Sequence, residues 1–281
     1  ERKIKYLNYI DNKRAEIETD REEELKCLRQ QYYSIEQDIE HIESFSPVLF
    51  DRIPEDSDFL DLYLGVGAIK ASKIIDYKYQ EKLEIGDDLS IIPSELAKEY
   101  SNIKDAPVTI PLKEANAVGV VGKSSEQYIM MKNMLIDLVS RQYYGDLSIY
   151  VLLENDTQKY DWIKFLPYLQ SGCAPRKIVC DIESKNNVFE NLYKELTYRS
   201  ESKNQFGYNV VFVMTEHGIK NHPISKFIEK SAELNTVFVF FESNVELLPL
   251  HCSRIIEIQS ENTAIVYEAT NRLEKTEFVF P

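Results

Sequence analysis

The sequence predicts an α/β chain whose larger part is a mostly parallel sheet flanked by helices. The apolar runs VVFVM (Val210–Met214) and VFVFF (Val237–Phe241) lack polar alternation, as expected of strands buried on both faces. From about residue 116, strand-like runs alternate with helical segments of roughly 10 to 15 residues, the rhythm of parallel βαβ units. A third observation sets the beginning apart. Residues 1–43 contain neither Pro nor Gly and read as one long helix.

That helix, assigned to residues 1–46, carries an apolar seam at Leu25, Leu28, Tyr32, Ile35, Ile39 and Ile42, with steps of three and four. Ile4, Leu7, Ile10 and Ile17 extend it less regularly, and runs such as TDREEELK place acids before bases at helical spacing. The seam fits a helix folded onto its own domain or a stalk toward another chain. Ser46-Pro47 ends it. Residues 47–105 are expected to form a small strand-rich subdomain. Its first strand holds Phe59, Leu60, Leu62, Leu64 and Val66 and turns at Gly65 and Gly67 into a partner at Ile69–Tyr79. A short helix follows at Pro93–Tyr100, with Pro at its start. Residues 106–281 form the main domain. Its expected strands are Ala117–Val121, Ser148–Leu153, Lys177–Cys180, Tyr208–Met214, Thr236–Phe241 and Ile255–Ile258, closed by Ala264–Glu268. Its expected helices cover the stripe Tyr128, Met131, Leu135, Leu138 and Tyr143, and residues 158–169, 186–199 and 223–233.

The 281 residues are 43% hydrophobic, enough for a packed core. The 47 acidic and 33 basic side chains give a net charge of -14, and no basic stripe breaks that field, so a nucleic-acid partner is not expected. Cys27, Cys173, Cys180 and Cys252 form no CxxC and read as free thiols. His41, His217, His222 and His251 form no HExxH, and no metal site is expected. No stretch approaches the ~20 apolar residues of a membrane helix. The ends, Glu1 and the apolar run to Pro281, read as cuts from a longer protein.

One motif suggests chemistry. AVGVVGKSSEQ (Ala117–Gln127) lies between a strand and a helix, where a phosphate-binding loop belongs. Gly122, Lys123 and Ser124 fit the GK-S/T ending, in which Lys contacts the phosphates and Ser holds Mg²⁺. The earlier glycine of the full pattern is replaced by Ala117, and Gly119 lies only three residues before Gly122. Val120 and Val121 are too stiff to turn several N–H groups inward. The companion motif, an apolar strand ending in Asp and Glu, reads VVFVMTE. Thr215 replaces the Mg²⁺-holding Asp, and Glu216 follows. The expectation is a P-loop-like fold with a degenerate nucleotide site at Gly119, Gly122, Lys123, Ser124, Thr215 and Glu216. No catalytic residue and no cofactor are expected; ATP with Mg²⁺ is the alternative. DWIKFLP (Asp161–Pro167) reads as core packing, with an exposed aromatic face as the other reading.

Three blocks carry a resemblance to type VII secretion ATPases of the EssC/YukB and EccC group. Ser46–Gly67 is similar to that family's P-x-L-W-x-R and D-F-L-x-x-R-x-G-x-G segment at Pro47, Leu49, Arg52, Asp58, Phe59, Leu60, Gly65 and Gly67. Phe50 replaces the Trp and Tyr63 the Arg. Ala106–Lys123 resembles the next block, and Trp162, Lys164, Leu166 and Pro167 resemble its W-x-K-W-L-P element. The opening RKIKYLNYIDNKR resembles the basic helix just after the membrane. The resemblance implies a juxtamembrane region on the cytoplasmic face of the cell membrane, with a degenerate FtsK/SpoIIIE-like ATPase domain. It implies partners in downstream ATPase domains of the same chain and other secretion-system membrane subunits, and a homo-oligomer. The implied role is non-catalytic coupling and assembly. A regulatory nucleotide-binding domain and a passive oligomerisation scaffold are the alternatives.

Overall fold

The structure, a computed structural model, describes residues 2–77, 89, 91–153, 158–170, 176–202, 206–215 and 218–281. Ten strands form one continuous sheet in the order β2-β1-β10-β9-β8-β3-β7-β6-β4-β5. They are β1 (Asp61–Lys70), β2 (Asn102–Pro111), β3 (Ala117–Val121), β4 (Leu147–Leu152), β5 (Ile178–Val179), β6 (Tyr208–Val213), β7 (Thr236–Glu242), β8 (Cys252–Ile258), β9 (Thr263–Glu268) and β10 (Asn271–Val279). From β8 to β5 all neighbours are parallel. From β8 to β2 all are antiparallel. The helices are α1 (Arg2–Gln31), α2 (Ile35–Glu43), α3 (Ile92–Glu99), α4 (Ser124–Arg141), α5 (Ile182–Glu201) and α6 (Ser225–Ile228).

The parallel half is doubly wound. β3, β6 and β7 are buried almost throughout, which explains their unbroken apolar runs. One face is covered by α4 through Met130, Met131, Met134, Leu135 and Leu138, together with Phe59 and Leu60. The other is covered by α5 through Val188, Phe189, Leu192 and Leu196, with Ile224 and Ile228. Tyr168, in a short turn, donates its hydroxyl to the main-chain carbonyl of Gln142 at 2.5 Å, tying this layer to the end of α4.

Several elements depart from the sequence reading. The single opening helix is two. α1 stops at Gln31, and Ser34 starts α2 by accepting from the Gln37 amide while the Gln37 side chain accepts from the Ser34 amide. The break redirects the seam. Ile35 is buried, Leu25 and Leu28 are half-buried, and Ile39 and Ile42 are exposed. Gly65 and Gly67 do not turn the chain. They lie inside β1, where a Cβ at either would come within 2.2 Å of a β10 carbonyl oxygen. β1 therefore runs on to Lys70 and pairs with β2 and β10, while Ala71–Tyr77 form no strand and Lys78 and Tyr79 lie outside the described residues. β2 crosses the boundary expected at 105/106, so the strands of that segment join the main sheet. The expected 158–169 helix is three short 3₁₀ turns, the last opened by Pro167. The expected 223–233 helix is the short α6 and a 3₁₀ turn. The sequence gives no apolar signal for β10, because its run is mostly polar and largely exposed. Among the described residues no helix is long and apolar enough to cross a membrane.

α1 lies against β2 and α3 through polar contacts along its length. Arg14 pairs with Glu99 at 2.9 Å, and Tyr100 donates to Glu18. Buried Arg21 donates to the carbonyls of Tyr100 and Lys73. Ile10 is its one buried apolar residue. The helix therefore folds back along the strand-rich region, with a charged rather than an apolar interface.

Candidate functional site

β3, β7 and β6 are parallel neighbours, so Lys123 and Thr215 follow strand ends on the same carboxyl edge of the sheet. That is the edge where open α/β sheets bind ligands. β7 stands between β3 and β6, so Thr215 does not follow the strand immediately beside β3, as expected from the sequence.

The link from β3 to α4 is two residues long. Gly119 is a strand residue, in register with Phe240 of β7 and Ile255 of β8. Its missing side chain makes room for Leu248, whose Cδ1 would lie 2.3 Å from an added Cβ. Gly122 is likewise crowded by Ile258, with its Cβ at 2.9 Å from that position. Both glycines are thus closely packed against apolar side chains. The Gly122 amide donates to the Glu242 carbonyl at 3.3 Å, and Gln127 Nε2 bridges the carbonyls of Gly122 and Glu242 at 3.1 and 2.7 Å.

One main-chain donor at the start of α4 is taken from within. A helix N-terminus attracts negative charge because its first amides lack partners. Here the Glu126 carboxylate turns back and accepts from the Lys123 amide at 3.2 Å. Its other oxygen lies 3.7 Å from Lys123 Nζ. Glu126 is largely buried, whereas the Lys123 side chain is 84% exposed. Ser124 is the first residue of α4. Thr215 donates its amide to the Leu152 carbonyl at 3.2 Å. Its hydroxyl is enclosed without a hydrogen-bond partner among the described residues. Glu216 lies outside the described residues. Trp162 packs beside this end of α4, donating to Tyr128 Oη at 3.3 Å, while Phe165 is exposed.

The far end of α4 carries a second, denser constellation. Arg141 clamps Asp51 from Nε and Nη2 at 2.8 and 3.1 Å and donates from Nη2 to the Gln31 carbonyl at 3.1 Å. Arg52 donates to the carbonyls of Gln31, Asp58 and Asp61. Two guanidiniums thus cap the last carbonyl of α1, where the helix dipole favours cations. They sit over Tyr33 and Tyr32 respectively. Between them and the core lie two buried carboxylates. Asp137 accepts from the Tyr63 amide at 3.2 Å, and Asp38 accepts from Ser140 Oγ at 2.8 Å. Burial pushes both carboxyls well above the usual range. Asp137 reinforces the effect on Asp38, while Ser140, Arg141 and Arg52 only partly oppose it. Arg52 opposes it at Asp137. The sequence reading named Arg52 only through the family pattern and missed the rest. The available signal was Asp137 and Arg141, four residues apart within an otherwise apolar helix stripe.

No family model matches the chain. Over 286 aligned residues, covering 97% of the chain, it is 24% identical to the type VII secretion system protein EssC of Staphylococcus aureus strain MSSA476. It is 23% identical over 255 residues, 86% of the chain, to the ESX secretion system protein EccC of Geobacillus thermodenitrificans strain NG80-2. The chain is a homologue of EssC and EccC. It spans 19% and 17% of the length of those two relatives. Two solved structures share the fold of this chain. One is Thermomonospora curvata EccC, ATPases 2 and 3 with a signal sequence peptide (TM-score 0.52, 7% identity, 80% of this chain and 41% of that one). The other is the cytoplasmic domain of the same organism's EccC (TM-score 0.51, 11% identity, 83% of this chain and 30% of that one). The likeness to these two structures is one of fold.

Proposed function

We propose that this chain is a non-catalytic coupling and assembly module on the cytosolic side of a type VII protein-secretion motor. It links membrane helices to downstream FtsK/SpoIIIE-type ATPase domains of the same chain. The observation that carries the reading is the course of α4. At its start the Glu126 carboxylate accepts from the Lys123 amide, and its last turn is bolted through Arg141 to α1. An 18-residue helix is a rod of about 27 Å. Along it, Asn133 holds the carbonyl of Pro281, Asp137 holds β1, and Ser140 holds α2. A displacement at one end therefore reaches the others without hydrolysis.

A second reading, a regulatory nucleotide-binding domain, draws on the placement of Gly122–Ser124 and Thr215 on one sheet edge. The two readings separate in the full-length parent protein. Lys123→Ala should leave secretion unchanged, while Arg141→Ala, at matched protein abundance, should lower it. Loss of secretion with Lys123→Ala alone would favour the nucleotide reading.

A further inference from the structure

We propose that the basic head of α1 docks, in a second copy of this chain, onto an acidic aromatic patch beside the far end of α1. This deepens the assembly role proposed above and is independent of whether nucleotide binds.

The patch begins with backbone strain. Phe45 and Phe50 hold left-handed backbone, φ 51° and 59°, which bulky side chains rarely adopt. Both rings face solvent, Phe45 at 87% exposure. Phe50 packs edge-on against exposed Tyr143 and Tyr144, at 6.0 and 6.4 Å between ring centroids. The fold holds these rings out of the core on a strained connection. Of the nine acids from Glu36 to Asp61, Asp38 is buried, Asp51 is clamped by Arg141 and Asp58 pairs with Arg52, so the exposed negative charge there rests chiefly on Glu36, Glu40, Glu43 and Glu55. The one arginine of that stretch, Arg52, is buried among main-chain carbonyls. Arg141 is buried too, in its clamp on Asp51. Exposed Glu40 and Glu43 on α2 precede the Phe45–Phe50 connection. Aromatic faces flanked by acids favour a cationic, partly apolar partner.

The head of α1 has that chemistry. Arg2 and Lys3 precede its first acid, Asp11, with Ile4 and Tyr9 exposed beside them. It cannot reach its own chain's patch. α1 is 30 residues long, about 45 Å, and the patch adjoins its last residue through Arg52 and Gln31. The complementary surfaces therefore meet only between copies, head to tail. Such a contact is heterologous and propagates into a closed ring or an open chain.

Sedimentation of the chain over a concentration series should show self-association that weakens as salt rises from about 50 mM to about 500 mM. Phe45→Gly with Phe50→Gly removes the rings and suits the left-handed backbone, so this variant should fold normally yet remain monomeric. Arg2→Glu with Lys3→Glu should be monomeric as well. A mixture of these two variants should form one-to-one dimers and nothing larger, since each retains one half of the contact. A parent that is monomeric throughout overturns the proposal. So does self-association unchanged in both variants, or binding of the α1 head to phosphatidylserine vesicles without self-association.

Discussion

Arg141 donates to the main-chain carbonyl of Gln31 at 3.1 Å, joining the last turn of α4 to the end of the opening helix. The same guanidinium clamps Asp51 with two hydrogen bonds. Truncating it strands a half-buried carboxylate and uncaps α1. Arg141→Ala should lower stability by about 2–4 kcal/mol, below a fully buried pair because Asp51 keeps some contact with water. Urea denaturation measures this. Arg141→Lys should recover only part, because an ammonium cannot reproduce the two-pronged geometry.

The buried Asp38 and Asp137 make stability depend on pH. Their native pKa values are raised above the unfolded value near 3.9, with burial the main cause. In that window the folded chain holds protons that the unfolded chain has released. Their contribution is therefore most favourable in acid and declines as pH rises through the raised native values. Asp38→Asn keeps the shape and removes one titration. The variant should gain stability over the parent as pH rises from about 5 to about 8, with little difference at the acid end. Denaturant midpoints of both proteins across this range check it. A constant difference would place the titration elsewhere.

Much of the fold was legible because buried parallel strands write themselves as unbroken apolar runs, and α4 writes its stripe. The failures have physical causes. The apparent turn at Gly65 and Gly67 is a close approach of β1 to β10, which a local reading cannot distinguish from a turn. The break at Tyr32–Ser34 was hidden because the apolar spacing runs straight through it. β10 joins the sheet through backbone pairing, so its charged side chains gave no signal. The strand-to-helix link at Gly122–Lys123 lies where the motif reading put it, but the carboxylate that caps it was not foreseen. Glu126 sits three residues after Lys123, as helix-capping side chains commonly do, and says nothing of phosphate until the geometry is known.

Gly119 separates a packing glycine from a phosphate-loop glycine. A methyl there meets the Leu248 side chain packed over it. Gly119→Ala should cost about 1–3 kcal/mol, as overpacked cores do. Gly119→Ala combined with Leu248→Ala should recover part of the loss from the collision, giving a non-additive double-mutant cycle. A stable Gly119→Ala variant with unaltered packing would contradict the close approach.

The central claim is that the start of α4 is closed to nucleotide by its own carboxylate. Calorimetric titration of the purified chain with ATP and Mg²⁺, beside Lys123→Ala, tests it most directly. The account predicts no saturable heat up to millimolar nucleotide, about the weak limit of specific binding, and no phosphate release above the variant. Saturable binding by the parent that Lys123→Ala abolishes would contradict it.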